Sequence, residues 1–144
     1  MFYGEFQHNL DRKSRIIMPA KFRDVCKEYG IEKFFITRGL DKCVFMFTSD
    51  EWRTQEQKFK VMPFTKQETR NFNRMFFSGA VDIIPDKQGR FIIPPYLKDY
   101  AEIKRETVII GVSNRIEIWD KRIWEQYRAA GESYEKIAEN ILNI

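Results

Sequence analysis

Two stretches of this chain, DRKSRIIMPAKFRD from Asp11 and DKQGRFIIPPYLKD from Asp86, carry one pattern: Asp, three residues, Arg, a short apolar run, Pro, then a basic residue and Asp. Slid by 75 residues, the chain matches itself at Gly4/Gly79, Asp11/Asp86, Arg15/Arg90, Ile17/Ile92, Pro19/Pro94 and Asp24/Asp99. Conservative pairs such as Arg12/Lys87, Phe22/Leu97 and Arg23/Lys98 fill the gaps. After a three-residue slip the likeness continues at an offset of 72, FFITRGLDKCVFMFTSDEW (34–52) lying over ETVIIGVSNRIEIWDKRIW (106–124). That offset sets Gly39 against Gly111, Val44 against Ile116, Phe47 against Trp119 and Trp52 against Trp124. An internal duplication restricts the fold to arrangements that use one supersecondary unit twice.

Each copy reads the same way. EFQHNL is a short strand, and DRKSR and DKQGR have turn composition, with Gly89 free to take positive φ. IIMP and FIIP are apolar strands ended by Pro19 and Pro94. PAKFRDVCKEYG predicts a short helix stopped at Gly30. FFITRGLDKCVFMFT predicts a hairpin, and Ser49 is the expected N-cap of the helix after it. Thr65-x-x-Glu68 fits a capping box for a further helix, and the C-terminal segment predicts two helical pieces broken at Gly131, with Ser133 capping the second. The expected fold class is α+β. The expected division is 1–60 for the first repeat and its helix, 61–76 for a connecting helix, 77–124 for the second repeat and 125–144 for C-terminal helices. A half of about 50 residues in short strands is marginal alone. Two halves that bury their apolar faces on each other would make a pseudo-two-fold unit.

Charge and composition exclude several classes. Residues 1–75 hold 15 Lys and Arg against 10 Asp and Glu, whereas residues 76–144 hold 10 against 11, so a polyanion would meet the first half more strongly. The two cysteines, Cys26 and Cys43, lack C-x-x-C spacing, which argues against a zinc site or a disulfide framework and for reduced thiols in a cytoplasmic protein. No apolar run is long enough for a membrane span. Lone His8 has no metal-ligating or acidic cluster around it, and no Gly-rich phosphate loop is present, so neither catalysis nor a cofactor is expected.

The positive signal lies in the Asp-x-x-x-Arg turns. Reading a DNA base edge needs an Arg or Lys fork on a rigid support, with further cations along the phosphates. Arg15 has Arg12 and Lys13 beside it, and Lys21 and Arg23 follow in one short helix; Arg90 has Lys87. Asp11 and Asp86 are better placed to accept turn amides and to aim the Arg. The plain alternative is a hairpin with a surface ion pair, worth about 0–1 kcal/mol. The repetition and the basic flank, taken together with the family resemblance given next, favour contact with double-stranded DNA, more so at Arg15 than at Arg90, which has fewer cations and Asp82 nearby. Trp52 and Trp124 are expected as core anchors rather than base-stacking platforms. Arg70 and Arg74, four apart, are expected on a solvated or intersubunit helix face.

These residues resemble the MraZ family over essentially the whole chain. The opening MFYGEFQHNLDRKSRIIMPAKFR, the second turn DKQGR and the segment EIWD (117–120) carry the likeness in the right order. The resemblance implies two SpoVT-AbrB-type, swapped-hairpin half-barrels forming one pseudo-two-fold β-barrel with flanking helices. It implies a cytoplasmic, nucleoid-associated regulator of transcription, a homo-oligomer assembled as a closed ring. Such a regulator would recognise short direct repeats upstream of its own division and cell-wall gene cluster. One departure is Ser14, where the family pattern has Gly before the Arg. The runner-up function is an antitoxin-like interaction module on the same fold; an RNA-binding role is disfavoured by the lack of an RNP-like aromatic stripe.

Overall fold

The duplication is visible as two passes through one order of elements. The computed structural model describes residues 1–142. The first pass is β1 (Phe2–Asn9), β2 (Arg15–Ile17), α1 (Ala20–Tyr29), β3 (Phe34–Arg38), β4 (Val44–Thr48), α2 (Ser49–Lys60) and α3 (Gln67–Ser78). The second is β5 (Val81–Ile83), β6 (Arg90–Ile92), α4 (Pro95–Ala101), β7 (Glu106–Ser113), β8 (Ile116–Asp120), α5 (Lys121–Ala129) and α6 (Tyr134–Leu142).

Strand pairing ties the copies together. Six strands form a sheet in the order β1-β7-β8-β4-β3-β5, and β2 and β6 form a separate two-stranded ribbon, all pairings antiparallel. The strand that opens each copy pairs with the hairpin of the other: β1 with β7, β5 with β3. The other two pairings between copies are centred on equivalent positions, Ile16 facing Phe91 in the ribbon and Phe45 facing Glu117 between β4 and β8. The α+β expectation holds. The closed barrel does not appear among the described residues: the sheet ends at β1 and β5, which do not pair with each other. Strand β5 stops after three residues, where Ile84-Pro85 follows and Pro85 has no amide to donate.

Register corrects the alignment of the hairpins. Phe34 pairs with Ile83, the counterpart of His8, and His8 pairs with Thr107. Phe34 also pairs with Thr48, the counterpart of Asp120, which pairs with Thr107 as well. Phe34 is therefore equivalent to Thr107 and Ile36 to Ile109, and Gly111 stands opposite Arg38's place rather than Gly39's. The cause is turn length: Arg38 pairs with Val44 in one hairpin, but Gly111 pairs with Ile116 in the other, one residue shorter.

Both faces of the sheet are covered. Val44, Met46, Ile116 and Ile118 face a core shared with α1, α4 and the ribbon, where Phe22, Leu97 and Ile16 are fully enclosed. Phe45, Phe47 and Trp119 face a second, aromatic core under α2, α3 and α5, containing Trp52 and Phe76. Buried on both sides, β4 is a nearly continuous apolar run, whereas β8 also encloses Glu117, bonded to Arg115 and Trp119 Nε1, and Asp120, which accepts from the amides of Lys104 and Arg122.

Helix ends follow the sequence with two exceptions. Gly30 closes α1 at φ 65°, in the left-handed region that needs no Cβ. The Ser133 hydroxyl accepts from the Lys136 amide, as expected. Thr48, not Ser49, caps α2, its Oγ1 accepting from the Glu51 amide. Thr65 caps nothing: α3 starts at Gln67, which puts Lys66 in the N-cap place with no side-chain cap, and Arg70 donates back to the carbonyls of Phe64 and Thr65.

Candidate nucleic-acid interface

The two Asp-x-x-x-Arg turns are built alike. In the first, Asp11 Oδ1 accepts from the amides of Lys13 at 2.8 Å and Arg15 at 2.9 Å, and Oδ2 accepts from Arg15 Nε at 2.7 Å. In the second, Asp86 Oδ1 accepts from the amides of Gln88 and Arg90, both at 2.9 Å, and Oδ2 accepts from Arg90 Nε at 2.9 Å. Each Asp amide donates to the carbonyl of its Arg. Both carboxyls are held below the usual carboxylate range, chiefly by the Arg amide, with the guanidinium and the other turn amide adding to it. Asp11 and Asp86 thus each tie their own turn and hold the Arg four residues on.

The turns are also interlocked. The Ile93 amide donates to the Ser14 carbonyl, and its counterpart Met18 donates to the Gly89 carbonyl. Ser14 sits at φ 59° and Gly89 at φ 82°, so the same left-handed turn forms in both copies despite the Ser. Lys98 Nζ donates to Ser14 Oγ at 2.8 Å. Arg23 lies over the second turn, its stem against Gly89 and its guanidinium 3.4 Å from the Gln88 carbonyl.

The ribbon carries both arginines outward. Ile16 and Phe91 are buried on its inner face, so their neighbours Arg15 and Ile17 on β2, Arg90 and Ile92 on β6, share the outer one. Ile92 is 55% exposed there. Arg15 pairs with Ile92 and Arg90 with Ile17, which places the two arginines on a diagonal, about 8 Å apart by strand geometry. Each is half-buried and spends Nε on its Asp; among the described residues no protein group bonds its terminal nitrogens.

The other sequence-predicted cations divide between the turns. Arg12 and Lys13 are exposed on the first turn and Lys87 on the second. Lys21 is exposed at the start of α1. Arg23, expected beside Arg15, sits instead at the second turn, because the copies exchange elements. Lys98 was missed at the first turn, although the Arg23/Lys98 match in the duplication was the signal for it. With that exchange the second turn is no longer poor in cations. Asp82 is drawn to Lys33 at 3.4 Å.

The remaining candidates fall in place as packing. Trp52 is buried and stacks between Phe35 and Phe76 at 5.2 and 5.5 Å. Trp124 is only half-buried, against Trp119 and Tyr127. Burial holds the His8 imidazole below its ordinary pKa, with Arg23 adding to it. Cys26 and Cys43 are free thiols, and burial pushes Cys26 up to about 11 and Cys43 higher still. Among the described residues no group of His, Cys, Asp and Glu could hold a metal ion, and no helix is long and apolar enough to cross a membrane.

Comparison with known proteins agrees with this arrangement. A family model described as "MraZ protein, putative antitoxin-like" matches twice, over residues 1–75 and 76–143, dividing the chain where the duplication does. The protein named "Transcriptional regulator MraZ" from Desulforamulus reducens is 49% identical over 146 aligned positions, which cover 100% of this chain and 99% of that one. The repeated turn, the paired copies and the full-length match together place this chain in the MraZ family.

Proposed function

We propose that the protein is a sequence-specific DNA-binding regulator of transcription and that the outer face of the β2–β6 ribbon is its reading surface. The observation that carries this is the pair of like-built turns that aim Arg15 and Arg90 from one rigid, exposed face. A two-stranded ribbon fits the DNA major groove, and Arg pairs with guanine O6 and N7. Two arginines about 8 Å apart span roughly two to three base steps of ~3.4 Å. Arg12, Lys13, Lys87, Lys21 and Arg23 then lie along phosphates, fixing position without reading sequence. The full-length likeness to a protein named as a transcriptional regulator supports this reading. In the finer form, residues 1–60 and 77–124 are two SpoVT-AbrB-type repeats that exchange strands across one open sheet and the ribbon. Copies of the chain form a ring, and the ring sets several like-oriented ribbons on short direct repeats upstream of its own gene cluster, in the nucleoid. The antitoxin-like wording of the family description favours one alternative, a protein-interaction module with no base preference.

The test is fluorescence anisotropy with a labelled duplex from upstream of the gene and a shuffled duplex of equal length, over a range of salt. The native duplex should bind tens-fold or more tighter. Arg15→Ala and Arg90→Ala should each remove about 1–3 kcal/mol of that preference. Lys13→Ala should weaken both duplexes alike and lower the salt slope by about 1. Equal, weak, steeply salt-dependent binding to both duplexes would reject base reading and bring the interaction module forward.

A further inference from the structure

The outer face of the ribbon carries one side chain that water alone does not suit. Phe91 and Ile93 are buried, so Ile92 between them points outward. A two-stranded ribbon has two open edges, and such edges are kept from pairing with other chains by charged or polar side chains on the exposed face. Arg15 and Arg90 meet that need, but Ile92 does not, and it is 55% exposed. Its match in the duplication, Ile17, is half-buried. The outer face is therefore unequal at its two ends, although the pairing beneath it is centred on equivalent residues.

The surroundings of Ile92 select what can cover it. It stands opposite Arg15, about 5 Å away between Cα atoms by strand geometry. It also lies beside the first turn, since the Ile93 amide bonds the Ser14 carbonyl. Arg12 and Lys13 are exposed on that turn and Lys87 on the other, while the turn carboxylates are taken up by Arg15 and Arg90. A second copy of this face would meet like charge. A broad apolar surface would meet cations on either side of one Ile. A polyanion that offers a lone methyl group fits, and the DNA major groove does so at thymine, the one base with a 5-methyl.

We infer that Ile92 packs on the 5-methyl of a thymine beside the guanine taken by Arg15, and that the ribbon reads DNA in one direction, because Ile17 offers no equal contact beside Arg90. A separation of about 5 Å corresponds to roughly one or two base steps of ~3.4 Å, which fixes how near that thymine lies. This contact rests on the base reading proposed above and adds to it a second base, with its identity and its side.

The test replaces thymine by uracil in the duplex from upstream of the gene. Uracil keeps every hydrogen-bonding group of thymine and lacks only the methyl. In fluorescence anisotropy the full-length parent should bind the uracil duplex about fourfold more weakly or worse, the equivalent of about 0.8 kcal/mol for one methyl-sized apolar group. Ile92→Ser should bind the two duplexes alike, near the parent's level on uracil, and Ile92→Val should restore most of the difference. Ile92 is exposed, so both variants should keep the parent's Tm. Thymines replaced one at a time should place the loss on one side of the guanine. A parent that prefers its native duplex over a shuffled one yet binds thymine and uracil equally would overturn the methyl contact and leave DNA reading standing. The same fourfold loss in Ile92→Ser would overturn the assignment to Ile92, since uracil would then act through the shape of the duplex. Equal losses at two thymines related by the two-fold of the ribbon would overturn the one-way reading. No preference for the native duplex would remove base reading and this contact together.

Discussion

Asp11 uses one oxygen to tie two amides of its turn and the other to hold the Arg15 guanidinium. A carboxyl whose pKa is lower folded than unfolded stabilises the fold above its unfolded value, about 3.9, and that contribution is lost as pH falls through the folded value. Asn at this position keeps an oxygen for the amides but not the charge for Arg15. Asp11→Asn should therefore melt below the parent at pH 7, with the gap narrowing as pH drops below about 4. A gap that stays constant down to pH 3 would mean the charge is irrelevant. Ser14 and Gly89 occupy one turn position but are not interchangeable. A Cβ at Gly89 would stand 2.5 Å from Arg23 Cδ, at φ 82°, whereas the hydroxyl of Ser14 is used by Lys98. Gly89→Ser should cost about 1–2 kcal/mol in urea unfolding. Ser14→Gly should change stability by no more than about 0.5 kcal/mol, since relief of the left-handed strain is offset by the freer unfolded chain. Equal effects would sink this account. At this scale the spacing of Asp and Arg was legible from sequence alone, because an Asx-type turn is local. The crossing of Lys98 to Ser14, 84 residues away, was not, because it depends on which copy supplies which strand.

Elements were read well where a single residue decides them. Gly30 and Ser133 end and start helices as expected, since the cap conformation and the hydroxyl act within one turn. Thr65 failed as a cap because the helix begins at Gln67, one residue later than that box requires, with Lys66 in the N-cap place. The one-residue slip between the hairpins was hidden because Gly39 and Gly111 align by eye while the strands align by pairing. The Trp pair shows the same limit. Trp52 and Trp124 match in sequence, yet Trp52 is buried against Phe76 and Phe77 of α3 while Trp124 is only half-buried, against Trp119 and Tyr127. Trp52→Ala should cost about 3–5 kcal/mol, the usual loss for a buried aromatic, and should loosen α3, seen as faster amide exchange across 67–78. Trp124→Ala should cost clearly less. If the two losses match within error, the asymmetry between the two sites carries no energetic weight.

In the whole molecule the repeat is an exchange. From sequence, two copies of one unit are equally compatible with each folding on itself; only strand pairing shows β1 on β7, β5 on β3, β2 on β6 and β4 on β8. A fragment holding one copy could satisfy all four pairings with a second molecule of itself, because equivalent positions already face each other at the centres of two of them. The copies differ in how well they could do so. Residues 1–79 would keep α3 whole, set Ile16 against Ile16 and Phe45 against Phe45, and supply two eight-residue β1 strands. Residues 80–142 would set Glu117 against Glu117 and supply only the three-residue β5. Glu117 is buried here, paired with Arg115 at 2.8 Å and accepting from Trp119 Nε1 at 3.0 Å, and the Arg115 guanidinium lies 4.9 Å from the Phe45 ring. Two such carboxylates facing each other repel, and neither Arg115 would find a Phe45 to rest on. The fragment 1–79 should therefore fold as a homodimer that dissociates and unfolds together on dilution, while 80–142 at the same concentration should remain largely unfolded. Circular dichroism with sedimentation equilibrium reads both outcomes. Mixing the fragments should displace the homodimer in favour of a one-to-one complex, because only the mixed pair puts Phe45 opposite Glu117. A stable 80–142 homodimer, or a monomeric, folded 1–79, would show that the exchange between copies is incidental to folding.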